Sequence, residues 1–99
     1  MAEKVIDLDF IPVNLDGEPL MSTTLAKVVG KLLCESTRDT EHCLERYLLG
    51  KELYDTGKAT FQNSETPETQ AMIAYFKDVC NKYEGFSNEV KGQILLKFL

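Results

Sequence analysis

The residue types that could do chemistry in this chain are few: Cys34, Cys43 and Cys80, the single His42, and the acids Asp7, Asp9 and Asp16. Structural zinc needs paired ligands at short spacing, so that one loop wraps the ion. Here the cysteines stand nine and thirty-seven positions apart, and Cys80 falls on an apolar stripe, where a free thiol behaves as a small hydrophobe. Nucleophilic catalysis needs a Cys or Ser beside a base that a third group orients. His42 and Cys43 are sequence neighbours, and consecutive helical residues point about 100° apart, so they are poorly placed to share a proton; His42 is expected on the surface of a first helical turn. A calcium loop needs oxygens at its first, third and fifth positions and a glycine at the sixth. Asp7-Leu-Asp-Phe-Ile-Pro fails from the third ligand onward. The six glycines are scattered, with none in a phosphate-binding frame. The expectation is a chain that is not an enzyme and holds no metal or cofactor.

Composition narrows the class further. The 99 residues are 43% hydrophobic and 27% charged, which fits a single globular domain over residues 1–99 and rules out wholesale disorder. The net charge of −5 is uneven, because residues 1–25 carry five acids against Lys4 alone. No basic face is clustered, so direct nucleic-acid contact is not expected, since neutralised phosphates supply most of such affinity. The first residues lack the basic and apolar order of a signal peptide, and no apolar run approaches the ~20 residues of a membrane span. An odd set of widely spaced cysteines is not a secreted disulfide framework. A cytoplasmic protein with protein partners, and no membrane contact, is the expected class.

The elements that must position any site follow from spacing. Val5-Ile-Asp-Leu-Asp-Phe alternates imperfectly, as a half-buried strand does. Asp16-Gly17 is a hairpin turn signal, so residues 1–22 are expected to form a hairpin, shortened by Pro12 and Pro19. The helical body then runs from 23 to 99. Thr23 or Thr24 caps a helix with the stripe Leu25, Val28, Val29, Leu32 and Leu33, and Gly30 lies off it. Asp39 or Thr40 caps a second helix whose stripe takes Leu44, Tyr47, Leu48 and Tyr54, with Leu49 and Leu53 on its flanks; Gly57 ends it. A short extended piece is expected near Thr60-Phe61. Thr66-Pro67-Glu68 opens a third helix, with Met72, Ile73, Phe76, Val79, Cys80 and Tyr83 inward and Gly85 at its end. Tyr47, Tyr54, Phe76 and Tyr83 are expected in the core. Ser87 starts a fourth helix, with Val90, Ile94, Leu95 and Phe98 inward. The fold class is mainly α (α+β): an N-terminal β-hairpin followed by about four helices in a small bundle.

Leu15-Asp-Gly-Glu-Pro-Leu20, then Thr24-Leu25 opening a helix that carries Leu32-Leu33, resembles a group of small proteins of tailed phages and prophages. The likeness continues in Arg46-Tyr-Leu-Leu, Leu53-Tyr54 and Val90-Lys-Gly-Gln-Ile-Leu-Leu, over residues 15–99. The three cysteines and the acidic lead-in depart from that group. The resemblance implies a phage or prophage product in the cytoplasm of a bacterial host, or in the virion, and carries no functional residue with it. Asp7 and Asp9 share a strand face that is solvated and negative, and with Glu18 they form the acidic half of a candidate partner surface. Leu96, Phe98 and Leu99 form the apolar half, because one docking stripe cannot cover every apolar residue of the last helix. The expected function is protein–protein interaction, as a small virion or head- or tail-assembly component. The alternative is an inhibitor or acidic decoy of a host defence or nucleic-acid-binding protein. Self-association as a homodimer through the last helix is expected alongside.

Overall fold

The computed structural model describes residues 2–37 and 41–99. Its elements run β1 (Glu3–Asp7), α1 (Leu25–Glu35), α2 (Cys43–Thr56), β2 (Lys58–Gln62), α3 (Pro67–Lys82) and α4 (Asn88–Leu96). Among the described residues the fold is mainly α, with four helices and one two-stranded antiparallel unit that includes the N-terminal strand. Among the described residues no helix is long and apolar enough to cross a membrane.

The local signals act where they stand in the chain. Thr24, Thr66 and Ser87 each accept a hydrogen bond from the backbone N–H three residues on, at Lys27, Thr69 and Val90, so each helix start has one orphan donor satisfied by its own cap. Pro67 occupies the first turn of α3. Gly57 closes α2 in the left-handed region, with its N–H donating to the Leu53 carbonyl. The expected caps of α2, Asp39 and Thr40, lie outside the described residues; the helix begins at Cys43, after a His42 that makes no side-chain cap bond. Helix α3 stops at Lys82, with Tyr83 rather than Gly85 as its cap.

Strand pairing differs from the expected local hairpin. β1 pairs with β2, from Glu3↔Gln62 to Asp7↔Lys58. The stretch after β1 does reverse at Asp16-Gly17, but only the Val13↔Pro19 bridge forms there. Pro12 and Pro19 have no N–H to extend a ladder. β2 offers a full set of donors and also turns Ala59 and Phe61 inward, to lie with Ile6 of β1 in the core. That second benefit decides the partner, because a register is fixed by the face it buries.

The segment following β1 docks on the start of α1. The Phe10 carbonyl accepts from Leu25 N–H at 2.9 Å and the Leu8 carbonyl from Ala26 N–H at 2.9 Å. The opposite end of α1 is held by Arg46 of α2. Its buried guanidinium donates to the carbonyls of Leu33 (3.1 Å) and Leu32 (3.2 Å) and to the Tyr75 hydroxyl of α3 (2.9 Å). Those two carbonyls lie in the last turn of α1, where the helix end is partly negative.

Arg46 sets the rotation of α2, and this corrects the expected stripe. Arg46, Leu49, Gly50 and Leu53 face inward, whereas Leu44, Tyr47, Leu48 and Tyr54 are exposed. Apolar residues surround this helix, so hydropathy alone does not choose a face; the guanidinium does. Gly30, expected off the contact face, is buried at the crossing with Gly50. A Cβ on Gly30 would lie 2.7 Å from the Gly50 carbonyl oxygen, and one on Gly50 would lie 2.6 Å from Cys34 Sγ and 2.7 Å from the Gly30 oxygen.

The remaining core gathers under α3 and α4, with Phe76 against Phe61 at 6.3 Å and against Phe98 at 5.2 Å between ring centroids. Of the four aromatics expected there, Phe76 is buried; Tyr47, Tyr54 and Tyr83 are exposed.

Two stability predictions follow from the α1–α2 contact. Gly50→Ala should lose about 1–3 kcal/mol in urea unfolding, although the same change in an open helix would gain about 1 kcal/mol. Arg46→Met should lose about 2–4 kcal/mol, because it leaves buried acceptors unpaired. Arg46→Lys should recover only part of this, since a single ammonium cannot reproduce the planar fork.

Candidate functional site

The close approach of α1 and α2 leaves a cleft of about 350 Å³ along their outer side. Its floor is Gly30 and Gly50, where the two helices meet. Tyr47 and Tyr54 stand on the α2 wall and Cys34 on the α1 wall. The Cys34 thiol donates to the Tyr47 carbonyl at 3.6 Å. The rim is charged, with Lys31 and Glu35 on the α1 side and Lys51 meeting Asp55 at 3.0 Å on the α2 side, and Lys27 Nζ lies 5.6 Å from the centre of the Tyr54 ring. Beside the cleft, Leu44 and Leu48 continue the apolar surface of α2, at 62% and 56% exposure. The arrangement can hold an apolar or aromatic side chain from another molecule between two tyrosines.

The sequence-expected partner residues are scattered by comparison. Asp7 ends β1 opposite Lys58, and its Oδ1 accepts from the Asp9 N–H at 2.9 Å. The Asp9 side chain packs toward Gly57, where a Cβ would lie 2.6 Å from its own. Glu18 sits in the Asp16-Gly17 turn and accepts from Asn14 Nδ2 at 3.3 Å. All three acids are exposed, but they occupy two separate places. Leu96 and Leu99 are exposed as expected. Phe98 is not available to a partner: it is buried edge-on against Phe76, and its carbonyl accepts from Lys4 Nζ at 2.7 Å.

His42 is only partly exposed, stacked on the Tyr75 ring at 4.3 Å. Among the described residues no group of three or more His, Cys, Asp or Glu side chains is placed to hold a metal ion. The three thiols differ in environment. Cys80 is buried in the core, and desolvation pushes its thiol up to about 12. Cys34 is raised as well, by burial first and then by the neighbouring Glu35. Cys43 is exposed.

No protein-family model, curated protein or solved structure matches the chain.

The cleft and the α2 ridge were beyond the expected site residues. The signal available in the sequence was the pair of glycines inside two helical stretches, Gly30 and Gly50, which serve no turn.

Thiol chemistry gives a direct check on this geometry. With a maleimide at pH 8, Cys43 and Cys34 should be modified in the native protein, and Cys80 only after denaturant is added. The raised thiol of Cys80 also sets a sign for pH dependence. Between about pH 9 and pH 12 the unfolded chain has released that proton while the folded chain retains it, so stability falls by about 1.4 kcal/mol per unit. Cys80→Ala should lack this contribution, so its stability should fall less steeply than that of the wild type when urea midpoints are compared across that range.

Proposed function

We propose that the chain acts by binding another protein and catalyses no reaction. One observation carries this reading: Leu44, Tyr47 and Leu48 form an apolar ridge on α2 that the protein's own core does not use, next to a glycine-floored cleft. Contiguous apolar surface with a charged rim is the usual mark of a contact site for another macromolecule, and tyrosines are well suited to anchoring one. The likeness of residues 15–99 to small phage proteins supports a setting in a bacterial host cytoplasm, with a head or tail component or an assembly factor as partner. A place in the virion itself is one form of that role.

A second reading has its own support. Asp7, Asp9 and Glu18 are all exposed in an N-terminal region of net negative charge, as an inhibitor or acidic decoy of a host defence or nucleic-acid-binding protein would require.

Co-expression with the proteins of adjacent genes, followed by capture on the tagged chain, separates the two. Under the first reading a partner co-purifies with the wild type and is lost when Leu44→Glu and Leu48→Glu are combined, with helicity unchanged. Peptides of the chain in purified virions would place the partner in the particle. Under the second, a host protein is captured, and it is released by about 0.5 M salt and by Asp7→Asn with Asp9→Asn and Glu18→Gln. A partner held equally by the ridge and acid variants defeats both readings.

A further inference from the structure

The fold treats the two edges of the β1–β2 sheet differently. Residues opposite each other in an antiparallel pair turn their backbone groups either both toward the ladder or both away from it. On β2 the groups that turn away are taken by side chains. Thr56 Oγ1 accepts from the Lys58 N–H at 3.2 Å, and Glu52 accepts from the Thr60 N–H at 3.1 Å. The Thr69 hydroxyl donates to the Gln62 carbonyl at 3.2 Å. That edge is closed.

The edge of β1 is not. Lys58, Thr60 and Gln62 stand opposite Asp7, Val5 and Glu3, so the N–H and C=O of these β1 residues also turn away from the ladder. The flanking residues keep the same alternation, because Ala2 and Leu8 bond toward the side of β2. The Ala2 carbonyl accepts from the Ser64 N–H at 3.1 Å, and the Leu8 N–H donates to the Gly57 carbonyl at 3.0 Å. Among the described residues the outward backbone groups of Glu3, Val5 and Asp7 have no hydrogen-bond partner, and the sheet has no third strand. The three side chains share one exposed face in the order acid, valine, acid, with Val5 43% exposed. Gln62 Nε2 holds one oxygen of Glu3 at 2.9 Å, and the Asp9 N–H holds one of Asp7 at 2.9 Å. Both acids are thus positioned, each with a second oxygen to offer.

We propose that the open edge of β1 takes an extended segment of another protein as a third strand, with a basic, apolar, basic order on the matching face. The backbone decides the form of the occupant. A row of outward donors and acceptors along an edge is satisfied by the main chain of an added strand, which no helix can offer. The side chains decide its charge. Residues directly opposite each other in a sheet lie close enough that acid–base pairs stabilise the pairing and like charges oppose it. The same rule turns away a second copy of this chain. Antiparallel pairing of two β1 strands about Val5 would set Glu3 of each copy against Asp7 of the other, with two acid–acid pairs on one face. Charges on an edge strand discourage self-pairing, and here they also select a basic strand. The surface shares no residue with the α2 ridge, so it is a second contact beyond partner binding there. It spans few residues and falls below the size of stable specific interfaces, so alone it is weak.

The probe is the peptide Thr-Lys-Thr-Val-Thr-Lys-Thr, titrated into the full chain at low salt while amide exchange is followed by NMR. It should bind with a dissociation constant on the order of 100 μM. At about 1 mM peptide, a site of that affinity is roughly nine-tenths filled, so exchange of the Val5 amide should slow about tenfold. Methylating the backbone nitrogen of the central Val, which faces β1, should weaken binding about tenfold. Methylating the Thr before it, whose N–H faces away, should change binding little. Exchanging both Lys for Glu in the peptide should abolish binding. Val5→Pro removes an outward donor without taking a bond from the β1–β2 ladder, so it should fold and yet bind about tenfold more weakly. Leu44→Glu with Leu48→Glu should leave peptide binding unchanged, which separates failure here from failure of the ridge reading. No binding at about 1 mM, where a ~100 μM site is mostly filled, overturns the proposal. Equal binding of the two methylated peptides does so too. Protection of the Val5 amide that rises with protein concentration alone assigns the edge to a second copy, and equally overturns it.

Discussion

The guanidinium of Arg46 fixes the relation between α1, α2 and α3. A buried cation must find acceptors for its donors or remain unfolded in water. The last turn of α1 supplies two carbonyls at the negative end of a helix dipole, and Tyr75 supplies a hydroxyl from α3. Once that bond is made, α2 has no rotational freedom left. Leu49, Gly50 and Leu53 follow at helical spacing toward α1, and Leu44, Tyr47 and Leu48 must face solvent. The exposed ridge is thus a geometric consequence of where one charge is satisfied.

Helix α1 shows the complementary economy of polar groups. Its first two N–H groups are taken by carbonyls of residues 10 and 8, its third by the Thr24 side chain, and two of its last carbonyls by Arg46. Each helix end thereby becomes a joint with a different part of the chain. The crossing of Gly30 and Gly50 adds a close backbone contact midway between these joints, where packing replaces polar bonding as the constraint. A small domain with a limited core gains order from such multiply constrained elements.

What the sequence made legible was local. Thr24, Thr66-Pro67 and Ser87 mark helix starts because their cap bonds reach only three residues, and Gly57 marks an end because its backbone conformation is its own property. The helices, and most inward positions on α1, α3 and α4, follow from those marks and from one-sided stripes; Gly30, buried by the crossing, and Tyr83, exposed past the end of α3, do not. The rotation of α2 was hidden because its apolar residues surround the helix and the deciding bond runs to carbonyls 13 and 14 positions away. The partner of β1 was hidden for the same reason, since Asp16-Gly17 proposes a nearby one and only the shared core with Ala59 and Phe61 favours the distant one. The candidate site inherits both effects. Its acids and its two terminal leucines were identifiable as exposed, Phe98 belongs to the core as its helical stripe indicates and not to the partner surface as well, and the cleft depends on a crossing that no local pattern encodes.

The pairing of β1 with β2 also imposes an order of events on synthesis. Gln62 Nε2 donates to Glu3 across 59 positions of chain, so β1 leaves the ribosome long before its partner is made. Until residue 62 emerges, Ile6 and Leu8 have neither a sheet nor a finished core to enter, although the carbonyls of residues 8 and 10 can already meet the start of α1. The helical pair α1–α2 can form first, from contacts near in sequence. The N-terminal strand is then the late piece of the nascent fold, since pairings that close long loops are the slowest to form.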